Sequence, residues 1–430
     1  SAAPLRKAMP MRLSILLLAA ASLLPVSAMA QPLDPKVSQR IDRILKRTPL
    51  IDGHNDLPWA LRGDFGSKVE GLESGTDKWK PPLMTDMARL KIGRVGGQFW
   101  SVYIEGTTLG DEAIRTTLEQ IDTAHRIIAS YPDTLRFART ADEMEAAHKA
   151  GRVGSMLGIE GGRQIGGSMA ALRRFYDLGV RYMTLTHNQT NEWADAGTDE
   201  AKHDGLSPFG VQVVGEMNRL GMMVDLSHVS PATMRDAIAA SKAPVIFSHS
   251  SAGGLVPHPR NVPDEVLKLM PANGGVVMVT WVPGFISQKV WDWSANRSGE
   301  EARLKAIYRA SQATVDAKLK EWDARNPRPE TGVADVADHV EHVARVAGHD
   351  HVGIGGDLDG IPYTPTGLEG VEAYPRLFAE LIRRGWSDEN LAKLAGGNIL
   401  RALRGAEATA RSMKGVPPSM AVIEPARAAR

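Results

Sequence analysis

The stretch PLIDGHND, residues 49–56, joins an apolar run to two ionisable side chains and sets the pattern that decides the fold. The run is typical of a buried strand, and it ends in His54 and Asp56. Side chains two residues apart on an extended strand project from the same face, so these two groups could point at one spot. A single pair of this kind is also typical of a polar turn that closes a strand. The rest of the chain has to decide between the two interpretations.

Eight apolar runs of this kind alternate with helical patterns along the chain. They cover residues 49–56, 95–104, 153–162, 180–188, 221–228, 243–250, 274–283 and 351–360. The segments between them carry apolar residues at three-to-four spacing, as amphipathic helices do. Eight strands that alternate with helices predict an α/β protein with a (β/α)8 TIM barrel. A doubly wound open sheet shows the same alternation and is the structural alternative.

The barrel is predicted to occupy residues 31–405 as a single catalytic domain. A long connection, residues 61–94, is expected to overhang the mouth of the barrel. Residues 284–350 contain an extended amphipathic region, which we interpret as an inserted packing element, followed by the helix before the last strand. Residues 406–430 are rich in Ala, Arg and Pro and predict a weakly ordered C-terminal extension.

The first thirty residues have the layout of a cleavable secretory signal. They combine basic residues, an apolar run and a small-residue cleavage site: Arg6, Lys7 and Arg12, residues 13–24, and Ala28-Met29-Ala30. The apolar run is short for a membrane span, and the chain has no cysteine for disulfides or thiol-linked lipids. We therefore expect cleavage after Ala30 and an exported protein, periplasmic in a Gram-negative source, with no stable membrane anchor.

The overall charge argues against a polyanionic partner. The formal net charge is +1, and the apolar and charged fractions of 43% and 23% are those of a globular protein. Nucleic-acid-binding proteins usually carry a basic face or stripe, and the sequence shows none. Nucleic acid is therefore not an expected partner.

Polar residues follow most of the predicted strands at their C-terminal ends. They are His54, Asp56, Glu160, His187, His228, His249 and Asp357. In a barrel these ends meet on one face, where the active sites of this architecture lie. Histidine and carboxylate ligands without cysteine suit zinc, or another divalent ion of similar preference, in a catalytic site.

The same residues could hold two ions. We expect one metal ion at His54, Asp56 and Glu160, and a second at Glu160, His228 and His249. The two oxygens of Glu160 would bridge the pair, at the separation of about 3.5–4 Å that two-metal hydrolases use. A water molecule between the ions would be acidified into a hydroxide nucleophile.

Several motifs, taken in order, carry a family resemblance. They are LIDGHNDLPW, MTDMARLKIGRVGGQFWSVY, GIEGG, MTLTHN with EWAD, VDLSH, VIFSHSSA with HPRNVPD, VGIGGDLDG and GGNILR. The chain resembles, over about residues 40–405, the membrane dipeptidase (renal dipeptidase) family of zinc peptidases. The resemblance implies a barrel of the metal-dependent amidohydrolase type that cleaves dipeptides at a binuclear zinc centre. It also implies tolerance for a D-residue at the C-terminal position and is compatible with a homodimer.

The resemblance also assigns roles to individual residues. The metal ligands of the family motif fall on His54, Asp56, Glu160, His228 and His249. The substrate-contacting histidine falls on His187, the carboxylate-binding arginine on Arg260, and the acid/base aspartate on Asp357. The mammalian members have disulfides and a C-terminal lipid anchor. This chain has no cysteine, and its last residues show no apolar anchor signal, so we do not expect the membrane attachment of those members.

The chemistry of a dipeptide fits these roles. The guanidinium of Arg260 could clamp the free carboxylate in a bidentate pair, although it could also cap its own loop. His187 and one zinc ion would stabilise the oxyanion, and Asp357 would move the proton from the attacking water to the leaving amine. Asp359 is the next residue on the same face, and we expect it to support the loop. Trp59 could line the pocket or serve packing.

Two other functions remain open at this stage. The chain could be another binuclear-metal amide or ester hydrolase, such as an N-acyl amino acid hydrolase or a lactonase. It could also be a non-catalytic exported protein that keeps its metal for stability. The complete ligand set and the presence of Asp357 argue against the second alternative.

Overall fold

The computed structural model of the protein describes residues 32–423. The predicted signal, residues 1–30, lies outside the described residues, as do residues 424–430. The strands are β1 Leu50–Asn55, β2 Val95–Tyr103, β3 Leu135–Phe137, β4 Val153–Glu160, β5 Val180–Thr184, β6 Met223–Asp225, β7 Ile246–Phe247, β8 Val276–Val279 and β9 Val352–Ile354.

Helices follow or connect these strands throughout the described chain. The α-helices are α1 Pro35–Arg47, α2 Leu57–Phe65, α3 Met87–Ile92, α4 Gly110–Ser130, α5 Ala141–Lys149, α6 Met169–Asp177, α7 Pro208–Leu220, α8 Pro231–Ala240, α9 Asp264–Leu267, α10 Met270–Asn273, α11 Pro283–Ile286, α12 Gln288–Ile307, α13 Gln312–Arg325, α14 Val333–Ala347, α15 Tyr374–Arg383, α16 Asp388–Ala392 and α17 Asn398–Ser412. Short 3₁₀ turns span Thr76–Lys78, Gly162–Ile165, His349–His351 and Val371–Ala373, and a π turn spans Lys393–Gly397.

Eight parallel strands close into a barrel, which confirms the predicted fold and excludes the open sheet. Neighbouring strands pair in the order β1, β2, β4, β5, β6, β7, β8 and β9, and β9 returns to β1 through Asp52 and Ile354. The longest ladder joins β2 to β4, from Gly97 opposite Gly154 to Tyr103 opposite Glu160. All eight strands therefore end on the same face of the barrel.

The short strand β3 was not predicted. It pairs with the first residues of β4, Val153–Ser155 in the ladder, and β5 pairs with the later residues of the same strand. Since β2 occupies the other edge of β4 throughout, β3 and β5 follow one another along a single edge. Three residues with one exposed arginine carry too little periodic signal for a strand to be predicted from sequence.

Several helices begin and end at residues that fix their limits by simple chemistry. The side chain of Ser207 accepts a hydrogen bond from the N–H of Gly210, and Pro208 opens α7. The same helix ends at Gly221, whose φ of 86° is the left-handed conformation that glycine adopts without strain. Ser230 and Pro231 start α8 in the same way. These local signals set where each barrel helix can return to the next strand.

The boundary predicted after Gly405 is wrong, because it falls inside helix α17. Leu403 and Ala406 are buried on either side of that position, so the helix continues across it to cover the barrel. The chain beyond the helix is also held in place: Arg173 donates to the carbonyl of Ser419, and Val422 forms a bridge with Ser168. Alanine and arginine are good helix formers, which is why this composition gives a packed helix.

The two long connections contain secondary structure of their own. Residues 61–94 include most of α2 and all of α3, and their contacts place them at the mouth, as predicted: Thr85 accepts from the Asn55 side chain, and the N–H of Met84 donates to Asp359. The inserted region after β8 is a pair of helices, α12 and α13, which bury a small apolar cluster of their own. Among the described residues, no helix is long and apolar enough to cross a membrane.

The close packing of Gly355 against Ser248 predicts a strong effect of one added methyl group. A Cβ on Gly355 would overlap the backbone carbonyl oxygen of Ser248, which cannot rotate away, whereas a Cβ on Gly215 in α7 would meet no atom within 4 Å. Gly355→Ala is expected to lower the free energy of unfolding by roughly 1–3 kcal/mol or more. Gly215→Ala should be neutral or stabilising by up to about 1 kcal/mol. Thermal unfolding midpoints of the two variants, compared with the parent, test this; equal midpoints would contradict the packing described.

Candidate metal centre and active site

Glu160 lies at the centre of a cluster of histidine and carboxylate side chains at the C-terminal face of the barrel. It is the last residue of β4 and is only 6% exposed. Its Oε1 atom lies 2.9 Å from His228 Nε2 and 3.4 Å from His249 Nε2. Its Oε2 atom lies 3.4 Å from His54 Nε2. The two carboxylate oxygens therefore face two different sets of donors.

The first of these sets is built on the end of β1. His54 Nε2 lies 3.2 Å from Asp56 Oδ2, so the two side chains do point at one spot, as their spacing predicts. Asp56 stands at the N-cap position of α2, where an aspartate usually accepts from the helix N–H groups, yet its side chain makes no capping hydrogen bond. Its carboxylate is thus left free to face the cluster.

The second set comes from the ends of β6 and β7. His228 Nε2 and His249 Nε2 are 3.0 Å apart, and both face Glu160 Oε1. His228 has a φ of 70°, a left-handed conformation that is uncommon for a side-chain-bearing residue and turns its ring towards the cluster. The rings of His54 and His249 stack with centroids 3.9 Å apart, which brings the two sets against each other.

Each of the three imidazole rings presents Nε2 to the cluster and binds a separate group through Nδ1. The Nδ1 atom of His54 lies 2.9 Å from the Tyr182 hydroxyl, and that of His228 lies 3.0 Å from Asn188 Oδ1. The Nδ1 atom of His249 lies 2.8 Å from Ser248 Oγ. Such outer hydrogen bonds fix the orientation of histidine ligands at metal sites.

The donor set fits one or more divalent ions. His54 Nε2 and Asp56 Oδ1 are buried and have no hydrogen-bond partner among the described residues. Burial opposes ionisation of Glu160, but the neighbouring imidazoles of His54, His228 and His249 hold its pKa well below the usual range. Unpartnered lone pairs around an ionised carboxylate are what a cation requires. Three groups have ligand atoms within 4.8 Å of one another: His54, Asp56 and Glu160; Glu160, His228 and His249; His54, His249 and Asp357.

Asp357 reaches the cluster from the loop after β9. Its Oδ1 atom lies 3.9 Å from His54 Nε2, and burial raises its pKa well above the usual range. The loop is locked to β1, because the N–H of Asp357 donates to the His54 carbonyl and the N–H of Asp56 donates to the Leu358 carbonyl. A Cβ at Gly360 would overlap the Asp56 carboxylate, so glycine is required there for the loop to lie this close. Asp359 points elsewhere and accepts from Met84 N–H at 2.6 Å, which agrees with the predicted loop role.

The cluster opens into a cavity of about 790 Å³ that contains the other predicted residues. Arg260 lines it and is 4% exposed; its Nη2 atom donates to the His249 carbonyl at 3.3 Å, and burial lowers its pKa to about 10. None of the described carboxylates forms an ion pair with this guanidinium. His187 lines the cavity 3.6 Å from Glu160 Oε1, and burial lowers its pKa. Trp59 also lines the cavity, and its ring packs edge-on against that of Tyr103.

Sequence reasoning missed several residues that shape this site. Tyr103 ends β2, and its ring lies 4.8 Å from that of His187, so the rule applied to the other strand ends would have found it. Asn188, which orients His228, directly follows a predicted site residue. His258, in the loop after β7, and Phe285, in α11, form an aromatic wall with ring centroids 4.3 Å apart, and only the folded chain brings them together.

The sequence matches a known protein family over most of its length. Residues 38–416 match the family described as Membrane dipeptidase (Peptidase family M19). Dipeptidase verJ from Clonostachys rogersoniana is 40% identical over 401 residues, which cover 91% of this chain and 92% of that protein.

Solved structures share the fold. The probable dipeptidase PvdM from Pseudomonas aeruginosa superposes with a TM-score of 0.72 at 23% identity, covering 87% of this chain and 99% of that one. A metallo peptidase from Rhodobacter sphaeroides, liganded with a phosphinate mimic of the dipeptide L-Ala-D-Ala, gives a TM-score of 0.68 at 23% identity, covering 84% and 99%. The family match spans nearly all of the described chain, and the chain therefore belongs to the membrane dipeptidase family (peptidase family M19) and is a metal-dependent dipeptidase.

Proposed function

We propose that this dipeptidase works with two zinc ions held by His54, Asp56, Glu160, His228 and His249, and that it accepts a D-residue at the C-terminal position of its substrate. The observation that carries the proposal is the placement of Glu160, whose two oxygens face two separate sets of imidazole and carboxylate donors. Nitrogen and oxygen donors without thiolate suit zinc in a catalytic site. When bound, the ions would supply a hydroxide nucleophile and polarise the amide carbonyl.

The residues around the donors divide the remaining work. His187 lies beside Glu160 on the cavity wall and, as a neutral imidazole, can donate a hydrogen bond to the oxygen of the scissile carbonyl as negative charge develops on it. Asp357 holds a carboxyl group within 3.9 Å of a donor atom, and its raised pKa suits a group that takes up a proton and gives it to the leaving amine.

Arg260 would determine the orientation of the substrate in the cavity. A buried guanidinium without a carboxylate partner is a costly arrangement unless a ligand supplies the anion. The free carboxylate of a dipeptide would match its two parallel N–H donors. The substrate would then lie with its C-terminal residue towards Arg260 and its scissile carbonyl over the donor cluster.

A D-residue at the C-terminal position is proposed from the chemistry of a solved relative. The Rhodobacter sphaeroides metallo peptidase binds a phosphinate mimic of L-Ala-D-Ala in the same fold. The cavity of this chain, about 790 Å³, is far larger than such a ligand requires and leaves space for either configuration. Peptidoglycan-derived dipeptides are the proposed substrate class, and the proposed setting is the periplasm after signal cleavage.

Removal of metal provides the first test. Exhaustive chelation should abolish hydrolysis of an L-Xaa-D-Xaa dipeptide, and restoration of Zn²⁺ should return it as the bound content approaches two ions per chain. Glu160→Gln removes the shared carboxylate and should reduce both the ion content and the activity. Elemental analysis and an amine-release assay measure these quantities in parallel. Full turnover by the chelated protein would contradict the proposal, and preferred hydrolysis of the N-acetylated dipeptide would favour an N-acyl amino acid hydrolase.

Replacement of Arg260 tests whether this residue binds the free carboxylate of the substrate. Arg260→Ala should lower kcat/KM for a dipeptide by about 10–100-fold, mainly through KM, because a charge-assisted pair contributes about 1.5–3 kcal/mol. Arg260→Lys should recover only part of the loss, since it keeps the charge without the planar fork. Arg174→Ala breaks an exposed ion pair with Asp177 and serves as the control. A dipeptide amide, which lacks the carboxylate, should be cleaved equally by the parent and Arg260→Ala; an equal loss on both substrates would show that Arg260 is only structural.

A pair of neighbouring aspartates tests the proton-transfer role. Asp357→Asn should lower kcat by about 10²–10⁴-fold with little change in KM, because the amide cannot accept and return a proton. Asp359→Asn removes a carboxylate that supports Met84 and should lower thermal stability more than kcat. Steady-state kinetics and unfolding midpoints of both variants separate the roles. The reverse result, with kcat lost mainly in Asp359→Asn, would transfer the role to that residue.

A further inference from the structure

Asp225 is a fully buried carboxylate at the end of β6 that stands behind the donor cluster. It accepts four hydrogen bonds: from the Thr184 hydroxyl, from the backbone N–H groups of Ser227 and Ser248, and from Ser248 Oγ at 2.6 Å. None of the described lysine or arginine side chains forms an ion pair with it. The two backbone N–H groups can only donate, and they face Oδ1; as an ionised carboxylate, Asp225 accepts from both hydroxyls on Oδ2.

The order of protons in this network follows from counting donors. The Ser248 hydroxyl carries one proton and lies 2.6 Å from Asp225 Oδ2 and 2.8 Å from His249 Nδ1. Because a carboxylate can only accept, that proton points at Asp225. The Ser248 oxygen can then only accept from the imidazole, so the proton of the neutral ring must sit on Nδ1. The Nε2 atom of His249, which faces Glu160 and His228, keeps its lone pair.

The hydrogen bonds that begin at Nδ1 of the other two ligand histidines lead to neutral groups. The Tyr182 hydroxyl donates to the backbone carbonyl of Gly53 at 2.9 Å, so it accepts from His54 Nδ1. His228 donates to the side-chain amide oxygen of Asn188. Of these three chains of hydrogen bonds, the one that starts at His249 ends on a carboxylate. An anion at the end of such a chain raises the basicity of the ligand nitrogen.

We propose that Ser248 and Asp225 are positioning residues, which hold His249 as the Nδ1–H tautomer and strengthen the binding of the ion shared by His228, His249 and Glu160. The inference rests on the proposed two-ion centre. The inference predicts that the two ion positions respond differently. Loss of the serine hydroxyl should weaken ion binding at one position, while the position formed by His54 and Asp56 keeps its own outer partner, Tyr182.

Ion affinity measured without turnover tests the proposal. Apoprotein is titrated with Zn²⁺ in competition with a chromophoric chelator, which resolves two dissociation constants. Ser248→Ala should weaken one of them by about 10–100-fold and leave the other within about twofold of the parent. Ser250→Ala is the control, because it removes a buried hydroxyl two residues away whose partners are Ser227 and Arg260 rather than a ligand imidazole. Both constants should stay at parent values in that control.

A second variant and a spectroscopic signal keep the test decisive if Ser248→Ala folds poorly. Asp225→Asn keeps the size of the side chain but removes its charge, and it should weaken the same constant. In the Co²⁺-substituted protein, the exchangeable Nδ1 protons of ligand histidines give shifted proton resonances. The parent should show one more such resonance that is protected from solvent exchange than Ser248→Ala shows.

The outcomes separate this inference from the proposed function. If the parent binds two ions and both variants bind them with unchanged constants and unchanged resonances, Ser248 and Asp225 are merely structural and the inference is overturned. Equal weakening of both constants would also overturn it, because the asymmetry would be absent. If the parent itself binds no ion and still hydrolyses dipeptides, the proposed two-ion centre fails.

Discussion

Negative charge gathered out of water is the constraint on which the rest of this structure depends. The carboxylates of Asp56 and Glu160 are almost fully buried, and that of Asp357 is nearly so, around three imidazole nitrogens whose lone pairs face inward. Like charges this close repel one another strongly in a medium of low dielectric, and burial costs each of them its hydration. The arrangement is stable as a receptor for cations, whose charge offsets both costs. The strand ends and loops around the cluster are arranged to hold these charged groups together.

Short strands in the barrel allow the ligand side chains to turn towards the cluster. Strands β6 and β7 contain three residues and two residues, so the chain leaves the sheet just before His228 and His249 and is free to turn their rings inward. The loop segments that replace the ladder are fixed by hydrogen bonds of their own. Asp52 is the clearest case: its buried carboxylate accepts from the His54 N–H, the Gly356 N–H and the Tyr374 hydroxyl, and so ties the end of β1 to the loop that carries Asp357.

How much of this could be read from the sequence depends on the range of each interaction. The period of the strands placed His54 and Asp56 on one face, and parallel topology brought the other strand ends to the same place, so the donor cluster was predictable residue by residue. The outer partners were not. Tyr182 lies in the middle of β5 and reads as an ordinary core residue until the barrel closes and brings its hydroxyl to His54. Asp225 lies inside the predicted run 221–228, and only its hydrogen bonds with Thr184, Ser227 and Ser248 show that it stands behind the cluster.

The proposed role of Arg260 would favour cleavage next to a free C-terminal carboxylate over cleavage at an internal peptide bond. Its guanidinium donates to the backbone carbonyl of His249, so the proposed carboxylate receptor contacts a member of the donor cluster directly. An extended residue of substrate spans about 3.3–3.6 Å, so a carboxylate bound at that guanidinium would bring the amide of the C-terminal residue towards the cluster. Cleavage of an internal peptide bond would place a neutral peptide group against the buried cation, which would leave its charge without an anion. In the proposed binding mode, the preference for a bond next to a free carboxylate arises from the same electrostatic requirement that shapes the donor cluster: each buried charge needs an opposite charge at a fixed distance.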